Sequence, residues 1–84
     1  MKEPVLSAHA ETVISERSIQ IEWVERVLSK PDKTESDSDD PDLMHALGRI
    51  PEHDNRVLRV VYNASTTPVR IVTAYFDRAM RNKL

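Results

Sequence analysis

Two runs near the C-terminus, Arg56-Val57-Leu58-Arg59-Val60-Val61-Tyr62 and Val69-Arg70-Ile71-Val72-Thr73-Ala74-Tyr75-Phe76-Asp77-Arg78, set arginines into strongly β-prone sequence. A guanidinium is always charged and is seldom buried without a partner, so a strand arginine either faces water or aims its charge at an anion. His9 and Arg17 stand at i and i+8 of a helical pattern, about 80° apart in projection at 3.6 residues per turn. Cleaving RNA without a metal takes a base for the ribose 2′-hydroxyl, an acid for the leaving oxygen and cations around the phosphate. His9, Arg17, Arg59 and Arg70 supply these functions, with Thr73 or Tyr75 donating hydrogen bonds. The plainer reading makes the arginines a solvated face and His9 a packing residue beside a helix stripe.

Other residue types narrow the chemistry. His45 and His53 lie among carboxylates, but their spacing matches no metal motif. Asp37, Asp39 and Asp40 resemble the start of a calcium loop, yet the glycine and the final bidentate glutamate are missing. Gly48 is the only glycine and there is no cysteine, which removes a glycine-rich phosphate cradle, a disulfide framework and thiolate zinc. Neither a metal nor a cofactor is expected. Tyr62 and Phe76 read as core, which leaves Tyr75 as the aromatic able to stack on a nucleobase beside the arginines.

The elements that position these residues follow from periodicity. Leu6, Ala10, Val13 and Ile14 form an amphipathic stripe with Ser7 as its cap, predicting a helix over about 7–17. Trp23, Val24, Val27 and Leu28 predict a second over 20–29, stopped by Pro31, with Trp23 as the largest core contributor. Lys30 to Asp42 is polar, acidic and holds two prolines, the composition of a mobile loop. Residues 43–50, 56–63 and 68–76 read as strands, separated by a turn at 51–55 and a short connection at 64–67. The expected fold is α+β, two N-terminal helices packed on a three-stranded antiparallel sheet in the order α-α-β-β-β. In the last strand, simple alternation puts Val69, Ile71, Thr73 and Tyr75 on one face and Arg70, Val72, Ala74 and Phe76 on the other. Both faces then carry apolar groups, so the second is expected to be partly covered by this chain or by another subunit.

The 84 residues support one small domain, 1–84. The net charge of −2 conceals a division: residues 1–54 carry 6 Lys/Arg against 13 Asp/Glu, residues 55–84 carry 6 against 1. A basic C-terminal third suits a phosphate partner, while the acidic part repels one unless it lies on another face. The absence of cysteine and of an apolar run long enough for a signal peptide or a membrane span makes a cytoplasmic protein without membrane contact the expectation.

Taken together, His9-Ala10, Glu16-Arg17, Trp23-Val24-Glu25 with Val27-Leu28 and Pro31, Arg56-Val57-Leu58-Arg59-Val60-Val61-Tyr62-Asn63 and Val72-Thr73-Ala74-Tyr75-Phe76-Asp77-Arg78 resemble a bacterial family of short proteins known as a domain of unknown function. More distantly, the element order, the first-helix histidine and the Thr-Ala-Tyr strand are similar to RelE-like toxins and the barnase-like ribonucleases. That likeness implies His9 as base or acid, Arg17 with Arg59 or Arg70 as phosphate clamps, and Thr73 or Tyr75 as donors. It departs from the pattern in its acidic pI of about 5.9. Three readings of function follow. One is a non-catalytic interaction or accessory module that meets an antitoxin-like protein partner or a second copy of itself. The alternative is a metal-free endoribonuclease of the toxin–antitoxin type acting on RNA. The third is a sequence-independent nucleic-acid binder without chemistry, whose mark is steep salt dependence.

Overall fold

The computed structural model describes residues 4–84. A short strand β1 (Val5–Leu6) leads into helix α1 (Ala8–Glu16) and helix α2 (Ile21–Ser29); strands β2 (Lys33–Ser36), β3 (Leu43–Ile50), β4 (Arg56–Asn63) and β5 (Arg70–Phe76) follow. Single 3₁₀ turns occupy Pro51–His53 and Arg78–Met80. Both helices and the three long strands lie where periodicity places them. The sheet does not have the expected form: it is five-stranded and mixed, in the order β1-β5-β4-β3-β2, rather than three-stranded and antiparallel.

The two additional strands escape sequence reading for different reasons. β1 is two residues long, too short for any period, and pairs parallel with β5 through Val5–Arg70 and Leu6–Ile71. Its position follows from Ser7, whose hydroxyl accepts from the Ala10 N–H at 3.0 Å to cap α1 and donates to the Val72 carbonyl at 3.2 Å. β2 lies within the polar stretch read as loop. It pairs antiparallel with β3 from Lys33–Leu47 to Ser36–Met44. As an edge strand its ladder is backbone, its residues are Lys-Thr-Glu-Ser, and it carries no apolar alternation to betray it; charged side chains on an edge also discourage pairing with another chain.

Both helices pack on one face of the sheet. Ala10, Ile14, Ile19, Val24 and Val27 meet Ala46, Ile50, Leu58, Val60, Ile71 and Ala74 in one buried cluster, with Trp23, Tyr62 and Phe76 at its margin. Trp23, expected from sequence to be the largest core contributor, packs against this cluster without being fully buried, 5.4 Å from the His53 ring and 6.1 Å from that of Phe76; the largest fully buried side chains are Leu47, Ile50, Leu58 and Ile71. Gly48 lets α2 approach β3 closely. A Cβ there would stand 3.0 Å from the Val27 Cγ2. Gly48→Val is therefore expected to cost about 1–3 kcal/mol through overpacking, measured as a lowered urea midpoint.

The alternation expected for β5 is broken by a register shift: Val61 pairs with Thr73, but Tyr62 pairs with Ile71, which leaves Val72 as the extra residue of a bulge. Ile71 thus joins Ala74 and Phe76 on the helix side, and Arg70 returns to the face of Thr73 and Tyr75. That second face has no helix. Leu47, Val57 and Val61 are nonetheless buried on it, with Arg59 directly across from Leu47 and His45 directly across from Val61.

Candidate functional site

Two rows of side chains cross the helix-free face. One runs Glu35, His45, Val61, Thr73; the next runs Lys33, Leu47, Arg59, Tyr75. Within this lattice Arg59 is the centre of a charged network. Its Nε and Nη2 reach Asp77 Oδ2 at 2.8 and 2.7 Å, its Nη1 reaches His45 Nδ1 at 2.8 Å, and Glu35 stands 3.8 Å away. Side-chain exposure is only 11% for Arg59, 15% for Asp77 and 16% for His45, so these charges are held by each other rather than by water.

Hydrogen-bond logic assigns the histidine. A guanidinium only donates, so His45 Nδ1 accepts and Nε2 carries the proton, donating to Asp37 Oδ1 at 2.7 Å. Asp37 Oδ2 in turn accepts the backbone N–H groups of Asp39 and Asp40 at 3.1 and 3.0 Å. The bond from His45, then those two backbone donors, hold the Asp37 carboxyl below its ordinary pKa. A carboxylate depressed in this way stabilises the fold above its unfolded pKa and loses that contribution as pH falls through the folded value. At the other end, Asp77 Oδ1 accepts the Ala79 N–H at 3.0 Å and caps the 3₁₀ turn. The network therefore ties the acidic turn after β2 to the C-terminal turn through two central strands.

A cleft of about 490 Å³ opens where β4 begins and β5 ends, lined by Arg17, Arg56, Val57, Tyr75, Phe76, Asp77, Arg78 and Arg81. At the far end of β4 a groove of about 620 Å³ is lined by Leu28, Tyr62, Pro68 and Val69, with Glu25 the charged residue among its walls.

Of the residues singled out for chemistry, Arg59, Thr73 and Tyr75 come together on the helix-free face. Arg70 shares that face but sits opposite Asn63, four residues along β4 from Arg59 and so roughly 13 Å away. Arg17 donates from Nη1 to the Ala74 carbonyl at 2.8 Å, serving the edge of β5 beyond the reach of β1, and meets Tyr75 only in the cleft. His9 is exposed on α1, in the helical layer, and its side chain forms no hydrogen bond or ion pair among the described residues. Eight residues of helix separate it from Arg17 by about 12 Å.

Glu35, Asp37, His45 and Asp77 are the participants that sequence reading did not place in the site. For His45 a signal exists: folding 43–50 back on 56–63 about the turn at 53 puts it opposite Val61, one row from Arg59. Asp37 and Glu35 depend on β2, which has no signal. Among the described residues, no group of three or more His, Asp or Glu side chains is arranged to hold a metal.

The stretch from Leu6, the second residue of β1, to Phe76 at the end of β5 matches the profile of a domain of unknown function, DUF4258, over residues 6–76. The chain belongs to the DUF4258 family. No curated protein and no solved structure matches it. The DUF4258 match takes in Glu35, Asp37, His45 and Arg59, whereas Asp77, Arg78 and Arg81 lie beyond its end. Among the described residues no helix is long and apolar enough to cross a membrane.

Proposed function

We propose that this DUF4258 domain is a non-catalytic interaction module. One observation carries the reading: the histidine of the helix-free face and the two carboxylates bonded into its network are committed to protein partners, while Glu35 and the Tyr75 hydroxyl on that face form no hydrogen bond among the described residues. Both His45 ring nitrogens are taken, by Arg59 and Asp37, and both oxygens of Asp37 and of Asp77 accept hydrogen bonds. A histidine acting as general acid or base must present one ring nitrogen to its substrate, and His45 has none unbonded. His9 is free of such ties but has no arginine bonded to it. A second reading, a metal-free endoribonuclease of the RelE-like type, draws on the cleft that Arg17 and Tyr75 share; the cleft has no histidine in its lining.

Induced production in a bacterial host of the wild type, His9→Ala, Arg59→Ala and Tyr75→Phe, with growth and total RNA followed, separates the two. The module reading expects normal growth and intact RNA for all four. Growth arrest with cleaved RNA, relieved by His9→Ala or Tyr75→Phe in a folded variant, replaces it with the ribonuclease.

A further inference from the structure

We propose that the cleft between the start of β4 and the end of β5 is a binding site for single-stranded nucleic acid, an assignment that rests on the interaction-module reading and names its partner. Arg17, Arg56, Arg78 and Arg81 line this cleft, and the one carboxylate among its walls is Asp77. The Asp77 charge is already answered by Arg59, which is outside the lining. The four guanidinium groups are otherwise sparsely partnered. Arg56 and Arg78 enter no ion pair among the described residues. Arg81 meets Asp54 at 3.4 Å with both side chains largely exposed, a contact of little worth. Arg17 spends one of its five N–H groups on the Ala74 carbonyl. Four like charges gathered around a cavity repel one another, and an anion with several oxygens relieves that repulsion while accepting paired guanidinium bonds.

The second component is aromatic. Phe76 and Tyr75 both line the cleft, but the Phe76 ring is stacked on His53 at 4.6 Å, which leaves Tyr75 as the platform for a base. Tyr75 is half-buried, with part of its surface facing the cleft, and arginines beside an accessible aromatic ring are the arrangement by which proteins hold single strands, phosphates on the cations and a base on the ring. A duplex keeps its bases stacked inside and offers none to Tyr75. The volume, about 490 Å³, falls within the few hundred Å³ typical of a ligand cleft. The acidic turn at 37–42 is absent from its walls, so the segregation of charge along the sequence becomes a segregation in space.

The test is fluorescence anisotropy with labelled 12-nucleotide RNA and DNA single strands across a salt series. The wild type is compared with Arg56→Gln/Arg78→Gln, Tyr75→Leu and Tyr75→Phe, each first checked for an unchanged thermal melt. The double variant is expected to bind at least about tenfold more weakly, with a salt slope shallower by roughly 1.4, the loss of two phosphate contacts. Tyr75→Leu is expected to weaken binding at unchanged slope, and Tyr75→Phe to restore it. Absence of binding at the lowest salt overturns the assignment, as does unchanged affinity in the double variant. It falls equally if inorganic polyphosphate or an acidic peptide of equal charge binds as tightly as the oligonucleotides. Running the same mixtures on a denaturing gel separates this from the functional reading: a cleaved oligonucleotide removes the non-catalytic reading and leaves the binding site in place.

Discussion

Arg59→Met is expected to destabilise the domain by about 2–4 kcal/mol, because it removes one partner of a nearly buried charge network and leaves the others in place. Methionine keeps much of the aliphatic stem, so the loss reports the charge rather than the packing. Asp77 would retain only the Ala79 N–H, and His45 Nδ1 would lose its donor. The cost is therefore mostly that of stranded groups. Arg59→Met/Asp77→Asn, which also removes the carboxylate charge, is expected to be less destabilised than Arg59→Met alone. Urea denaturation of the wild type, Arg59→Met, Asp77→Asn and the double variant measures this, and a double variant that simply adds the two single losses would show the pair to be uncoupled.

The second large effect is in the opposite layer. Leu58 is fully buried where β4 meets the helices, and Leu58→Ala is expected to cost about 3 kcal/mol through lost transfer energy and the cavity left behind. For a chain of this size, with a total stability of roughly 4–13 kcal/mol, that is a large share. Calorimetry is expected to show a fall in Tm of roughly 15 °C. A loss below about 1 kcal/mol would mean that α1 and α2 collapse onto the vacated space, contrary to the close fit seen between Val27 and Gly48.

Amphipathic spacing sufficed for α1 and α2, which bury one side chain in every three or four residues, and β-prone apolar runs bounded by turn residues sufficed for β3, β4 and β5, the first two of which bury side chains on both faces. Ser7 was legible as a cap for the same local reason, its hydroxyl bonding to a backbone N–H three residues on. The candidate site was legible only in part. Arg59 and Tyr75 were found from their own strands, since an arginine in a β run is conspicuous. What they touch was not, since register between strands far apart in sequence decides it.

The bulge at Val72 is the clearest case. It costs one residue of pairing and has no sequence mark, yet it turns Ile71 into the core and Arg70 out of it. β2 is the other case: an edge strand of Lys-Thr-Glu-Ser is chosen by the free backbone groups of β3, and only that pairing brings Glu35 and Asp37 to His45. The sequence by itself determined two helices, three strands, a basic C-terminal third and the residue types available for an anion. The tertiary structure alone decided that Arg59 is spent on Asp77 and His45, while Arg56, Arg78 and Arg81 are left around an open cleft. The physical reason is that periodicity reports how much apolar surface a segment must hide, whereas the fate of a charge depends on which opposite charge the sheet register brings within bonding distance.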